Sequence, residues 1–193
     1  MKRFSKKILP VILSILIGIM PTVSFAQQPE QKEMTILLEG TPETILMTRY
    51  TVEALFALWY DAKHFAPEAK EYGVRFELID NQLSSEVSFT VQNVNDPNSF
   101  EDPVLEDFIK EYVAKGWICD ELDATDMLPL FNIPDIPVRG FIARQNREAA
   151  LIYLSNISSG YYLSTLRFPN EAAEGWANRM LFMINTLEFV DGY

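Results

Sequence analysis

Residues 149–168 read AALIYLSNISSGYYLSTLRF, two apolar stretches separated by turn-forming residues. Stretches of this length, joined by a loop that contains glycine, are typical of a β-hairpin. We therefore predict strands over 149–155 and 161–168. Asn170 follows shortly afterwards and is a favourable helix cap ahead of apolar residues at helical spacing. The sequence therefore predicts a C-terminal helix over 171–187.

The pattern upstream of this hairpin predicts a helix and further strands. A helix over 103–115 is indicated by Asp102 as its cap, by Pro103 at its first position and by Gly116 at its end. Apolar or alternating stretches predict strands at 35–38, 44–47, 54–60, 74–79, 87–91 and 138–144. Strands and a helix, then strands and a second helix, indicate an α+β fold. We predict a central antiparallel β-sheet flanked by two main helices.

The composition excludes several classes of protein. The 193 residues include a single Cys and a single His, whereas a zinc site of Cys and His ligands needs about four such groups. One cysteine cannot form a disulfide within the chain. The 16 basic and 27 acidic residues give a formal charge of −11, the wrong sign for a nucleic-acid-binding surface. We therefore expect no zinc site, no cofactor and no nucleic-acid partner.

Residues 1–26 have the pattern of an export signal. Basic residues at the start precede an apolar stretch over 8–20, and the small residues Ser24 and Ala26 lie two positions apart. The apolar stretch is shorter than the roughly 20 residues that a membrane-spanning helix needs. We therefore expect cleavage after Ala26 and a periplasmic or secreted mature protein. A retained membrane anchor is the alternative.

The rest of the chain has the organisation of one domain. Residues 27–33 are polar and are predicted to be a flexible lead-in. Residues 34–193 contain no repeat, low-complexity tract or linker, so we predict a single globular α+β domain. We expect no transmembrane span after removal of the signal. Cleavage would remove basic residues and no acids, which makes the mature domain more acidic than the whole chain.

Several segments resemble the PsbP-like α/β/α sandwich family. They are ALFALWYDAKHFAP at 54–67, SSEVSFTVQNV at 84–94, PVLEDFIKEYVAKGW at 103–117, and the final hairpin and helix at 147–189. The family includes the extrinsic PsbP subunit of photosystem II, a eukaryotic Ran-binding import factor and many exported bacterial proteins. The resemblance implies an accessory or binding protein of a larger assembly. It carries over no catalytic residue.

An acidic segment is the candidate for partner binding. Residues 119–137 are predicted to be an irregular connection, in which DELDATD places Asp120, Glu121, Asp123 and Asp126 close together. Carboxylates suit calcium, but the spacing of an EF-hand loop is absent. A solvated acidic loop is the simplest interpretation. The functional alternative is that these four acids face a basic surface of another envelope protein.

Two other groups of residues are candidate sites. His64 lies three residues after Asp61, but no nucleophile motif is present, so a surface histidine is the simpler interpretation. Aromatic residues could line a ligand pocket, although we expect Trp176 and one of two adjacent tyrosines in the core. The aromatic candidates are Trp59, Tyr60, Trp117, Tyr161, Tyr162 and Trp176.

The sequence thus predicts an exported, non-enzymatic accessory or binding protein of the bacterial cell envelope that acts through protein–protein contacts. The first alternative is a small-ligand carrier with an aromatic pocket. The second alternative is a hydrolase that uses carboxylates. Acidic pairs could perform glycosidase chemistry, but 27 acidic residues make some pairing inevitable.

Overall fold

Antiparallel strands make up most of the described chain. The computed structural model describes residues 29–38, 40–79, 86–94, 101–123, 138–157 and 160–189. A four-stranded sheet has the order β1 (Gln31–Leu38), β2 (Thr41–Val52), β3 (Phe56–Tyr60) and β11 (Glu188–Phe189). A seven-stranded sheet has the order β4 (Phe65–Lys70), β5 (Gly73–Leu78), β6 (Ser88–Asn93), β10 (Gly160–Pro169), β9 (Glu148–Ile157), β8 (Val138–Gln145) and β7 (Ile118–Glu121).

The helical part is small. Helix α1 spans Glu101–Ala114, close to the predicted 103–115. The second helical segment begins with a 3₁₀ turn, Asn170–Ala172, and a π-helical turn, Ala173–Ala177. It ends with the short α-helix α2, Asn178–Ile184. Within the described ranges, no helix has the length and apolar character needed to cross a bilayer.

The predicted α+β fold, a PsbP-like α/β/α sandwich with one central sheet flanked by two main helices, is wrong. The fold is rich in β-structure and has two sheets, and the predicted helix over 171–187 is a series of short helical turns. Asn170 lies inside the first of these turns instead of capping it, and no side chain caps the start of this turn. The N-terminal strands pair with one another and with the chain end, so they form a separate sheet.

One core joins the two sheets. On β5 and β6 the apolar positions alternate as predicted, so that residues such as Phe76 and Phe89 are fully buried. They pack against the inner face of the four-stranded sheet, including Phe56 and Leu58, and against Met180 and Met183 of α2. Burial of each side chain of this size stabilises the fold by about 1.5–3 kcal/mol relative to its exposure to water.

Among the described residues, helix α1 covers only part of the opposite face of the seven-stranded sheet. Helix α1 places Leu105 in a second apolar cluster with Trp117 and with Ile152 and Leu154 of β9. The left-handed conformation of Gly116, with φ of 86°, ends the helix as predicted. Helix α1 thus covers the β8–β9 side of the face. Beside it, β5, β6 and β10 present a polar surface.

Several strands lie where the sequence predicted irregular structure or none. Strand β4 lies between the predicted strands 54–60 and 74–79, where no strand was predicted, and β7 occupies the start of the predicted acidic connection. Strand β1 begins at Gln31, within the segment 27–33 that was predicted to be a flexible lead-in. The predicted signal peptide, residues 1–26, lies outside the described residues.

Candidate functional site

A polar cleft lies between helix α1 and the open part of the seven-stranded sheet. Its floor is built from cross-strand neighbours, because Arg75 pairs with Thr90 and Thr90 pairs with Thr165 in the register of β5, β6 and β10. Its volume is about 210 Å³. We call this feature the sheet cleft, and its lining residues are Arg75, Ser88, Thr90, Gln92, Phe108, Tyr112, Leu163, Thr165 and Arg167.

Two arginines at one end of the sheet cleft are held by carboxylates. Glu86 accepts hydrogen bonds from Arg75 Nη2 and, at 2.6 Å, from Arg167 Nη1. Arg75 Nε also donates to Glu77 at 2.8 Å, and Arg167 Nη2 donates to Glu148 at 3.0 Å. Three carboxylates thus accompany two guanidinium groups, so the positive charges of this end are fully compensated.

The helix side of the sheet cleft is aromatic. Phe108 and Tyr112 are half-buried neighbours one turn apart on α1, with ring centroids 5.4 Å apart. The ring centroids of Tyr112 and Trp117 are 5.3 Å apart, and the Arg167 guanidinium carbon lies 5.5 Å from the centroid of the Trp117 ring. Burial raises the pKa of Tyr112, and the positive charge of Arg167 opposes this shift. The phenol therefore stays protonated at neutral pH and can donate a hydrogen bond.

Glycine at position 73 shapes the sheet floor beside the cleft. Gly73 pairs with Gln92 across β5 and β6, and a Cβ atom at Gly73 would lie 2.3 Å from the carbonyl oxygen of Val91. Such a contact is far closer than two heavy atoms tolerate. The close approach of the two strands therefore requires glycine at this position.

The predicted acidic residues lie at an edge of the same sheet. Asp120 and Glu121 are on β7, the last strand of the seven, and not in an irregular loop. Asp120 pairs with Arg144 at 3.0 Å, and Glu121 pairs with Arg139 at 3.1 Å; both acids stay more than half exposed. Asp123 follows β7 and is exposed, whereas Asp126 lies outside the described residues. We call Asp120, Glu121 and Asp123 the acidic edge.

The histidine belongs to a buried charged cluster. Asp61 is fully buried in the turn after β3, and the His64 ring Nδ1 lies 2.7 Å from its Oδ2 atom. Arg179 of α2 donates to the same Asp61 oxygen and reaches Glu43 at 3.4 Å. The ring of Trp176 contacts both His64 and Arg179.

This cluster joins elements that are distant in the sequence. A carboxylate can only accept hydrogen bonds, so ionised Asp61 orients His64 and compensates the charge of Arg179. The sequence predicted a surface histidine, and the structure places His64 in the turn after β3 as a partly exposed group whose ring contacts Asp61. The arrangement fastens the β3–β4 turn to helix α2.

The aromatic residues proposed for a ligand pocket pack mainly into the two cores. Trp59, Tyr60 and Tyr162 are buried in the core between the sheets, and Trp117 is buried in the cluster under α1. Trp176 packs against the first core at its margin. The aromatic side chains that line the sheet cleft are different ones, Phe108 and Tyr112.

Sequence reasoning did not identify the sheet cleft. The alternation of β5 and β6 placed Arg75 and Thr90 correctly on the polar sides of their strands, and this was the available signal. It did not show that β10 would lie next to β6 and bring Thr165 and Arg167 to the same surface. The two polar strand faces were therefore not enough to predict the sheet cleft, because its position also depends on which strand lies next to β6.

Comparisons with known proteins add no relative. No protein-family model matches the chain, and a search of curated proteins found no match. The resemblance to the PsbP-like family accordingly stays a prediction.

Proposed function

We propose that the protein is a non-enzymatic accessory or binding protein of the bacterial cell envelope, and that it contacts a basic surface of another envelope protein through the acidic edge. The observation that supports this function is the position of Asp120 and Glu121 on an exposed terminal strand. The pattern of the export signal and the resemblance to the PsbP-like family favour the same class of protein.

The ion pairs of the acidic edge are compatible with partner exchange. Exposed pairs such as Asp120–Arg144 and Glu121–Arg139 contribute about 0–1 kcal/mol to stability. A lysine or arginine of a partner can therefore replace the internal arginine at small cost. Among the described strands, β7 also has a neighbour on one side only, β8. No described strand pairs with its outer backbone edge, so a partner strand can add there, and the acidic side chains would select a basic one.

The test is a comparison of association kinetics. The partner is captured from envelope extract with the mature protein, purified, and titrated with wild-type protein and with a variant in which Asp120, Glu121, Asp123 and Asp126 become Asn or Gln. We expect slower association and a weaker dependence on salt, because charged surfaces act mainly on the association rate. Stability should change little, because the described carboxylates of the acidic edge lie at the surface and their ion pairs are weak.

A matched variant controls for net charge. It neutralises four exposed acids that form no ion pair among the described residues: Glu33, Glu53, Glu71 and Glu171. Both variants change the charge of the chain equally. The proposal requires that only the acidic-edge variant loses association rate. An unchanged rate and salt dependence in that variant would place the contact elsewhere.

A further inference from the structure

We propose that the sheet cleft binds one ring of a neutral saccharide. This inference concerns a different surface from the acidic edge and does not depend on the proposed protein contact. It rests on the combination of an aromatic wall, a floor of hydroxyl and amide groups, and a charge-compensated pair of arginines within one small cleft.

The floor offers hydrogen-bonding groups that the fold itself leaves unused. Thr90 and Thr165 are adjacent across β6 and β10 and are half-buried. Gln92 lies one step further along the same face of β6. The side chains of these three residues have no hydrogen-bond partner among the described residues. Hydroxyl and amide groups both donate and accept, which matches the hydroxyl groups of a sugar.

The charges at the end of the cleft favour a neutral ligand. Arg75 and Arg167 line the cleft, whereas the carboxylates that hold them, Glu86 among them, are not part of its lining. The arginine charges are already compensated, so an anionic ligand would gain little and would approach three carboxylates. Each guanidinium carries five N–H donors, and those not used by the glutamates can donate to neutral oxygen atoms.

The aromatic wall supplies the apolar contact that a sugar ring needs. A pyranose presents C–H groups on its flat faces and hydroxyl groups around its rim. Phe108 and Tyr112 of α1 stand beside the polar floor, so one ring face can pack on them while the rim reaches Thr90 and Thr165. The Tyr112 hydroxyl adds a hydrogen-bond donor to this wall.

The size of the cleft limits the ligand. Its volume of about 210 Å³ is below the roughly 300–1,000 Å³ typical of sites for drug-sized molecules. One sugar ring fits this space, and its partly exposed lining lets the rest of an oligosaccharide extend into solvent. Recognition of a terminal or internal residue of a glycan is therefore compatible with the geometry.

The experiment measures binding of defined sugars to the protein without its predicted signal peptide, residues 27–193, by isothermal titration calorimetry. The probes are N,N′-diacetylchitobiose, cellobiose and, as an anionic comparison, D-glucuronate. We expect at least one neutral disaccharide to bind more tightly than glucuronate. Saturation-transfer NMR should show contact between that sugar and aromatic protons of the protein.

A pair of variants locates the site. Thr90→Val with Thr165→Val keeps the β-branched shape and removes both hydroxyl groups, and should weaken binding about tenfold, since each neutral hydrogen bond contributes modestly. The matched control is Thr44→Val with Thr51→Val, at exposed positions of β2 in the other sheet. The circular dichroism spectra and melting temperatures of both variants establish that they fold.

Three results would overturn the proposal. The first is no binding of either neutral disaccharide up to the solubility limit of the sugar. The second is tighter binding of glucuronate than of both neutral sugars, which would contradict the charge argument. The third is an equal affinity of the Thr90→Val, Thr165→Val variant and the wild-type protein.

Discussion

Replacement of Asp61 by asparagine tests whether the buried charged cluster holds the fold together. Asp61 is fully buried and carries the negative charge opposite Arg179, whose side chain is 10% exposed. Asparagine keeps the size of the side chain and can still accept the 3.1 Å hydrogen bond from the Lys63 backbone N–H. The substitution therefore removes the charge, and its NH2 group replaces the Oδ2 atom that accepts from Arg179.

The expected loss of stability is large for a single substitution. Removal of one partner from a buried ion pair costs about 3–5 kcal/mol, because the other charge stays buried without compensation. Glu43 lies 3.4 Å from Arg179 and is about half exposed, so it compensates part of that charge. We therefore expect the free energy of unfolding of Asp61→Asn to fall by about 3 kcal/mol, which is roughly a hundredfold shift of the equilibrium toward the unfolded state.

Urea denaturation followed by far-ultraviolet circular dichroism measures this change. Glu188→Gln is the comparison, because it removes an exposed partner of Arg49 at 2.7 Å and should cost no more than about 1 kcal/mol. The double variant Asp61→Leu, Arg179→Met removes both charges and should be less destabilised than the sum of its single variants. The reasoning is refuted if Asp61→Asn costs no more than Glu188→Gln, or if the double variant is simply additive.

Three further predictions concern the backbone, the thiol and the chain start. Gly73→Ala should destabilise the fold by about 1–3 kcal/mol in thermal melts, because the new Cβ atom would collide with the carbonyl oxygen of Val91. The control Gly175→Ala has open space around the new atom and should be neutral or stabilising by up to about 1 kcal/mol. Equal effects of the two variants would contradict the clash. Burial and, second, Asp120 raise the pKa of Cys119, so its rate of alkylation by iodoacetamide should still rise with pH where that of an ordinary thiol has levelled off. Asp120→Asn should speed alkylation at fixed pH, and an unchanged rate would remove the role of that charge. N-terminal sequencing of exported protein should begin near Gln27, and recovery of the initiator methionine would show a retained anchor.

Much of the local structure was readable from the sequence. The alternation of Phe76 and Phe89 with polar neighbours predicted the inward faces of β5 and β6, and the apolar spacing predicted helix α1 and its end at Gly116. The helix begins at Glu101, so Asp102 lies inside it and the predicted cap at Asp102 is wrong. The apolar stretch at 54–60 predicted a strand, and all five residues of β3 are buried. These features depend on side-chain period and on backbone preferences within a few residues.

The predicted helix over 171–187 shows where local reasoning failed. Its apolar residues do face the core, as Met180 and Ile184 show. The turns before α2 are irregular, because the chain leaves β10 directly and must place Arg179 against Asp61 in the turn after β3. A helical spacing predicts which side chains are buried, but it does not predict that tertiary contacts divide the helix.

The sequence by itself determined the acidic character of the chain, the inward and outward faces of its strands and one of its helices, because these follow from composition and from periods of a few residues. Only the tertiary structure decided which strands share a sheet, because pairing joins residues far apart in the chain. It therefore also decided that Thr90 meets Thr165 in a cleft and that Asp61 meets Arg179, 118 residues away. Contacts of this range depend on strand register and on the packing of whole elements, which no short stretch of sequence specifies.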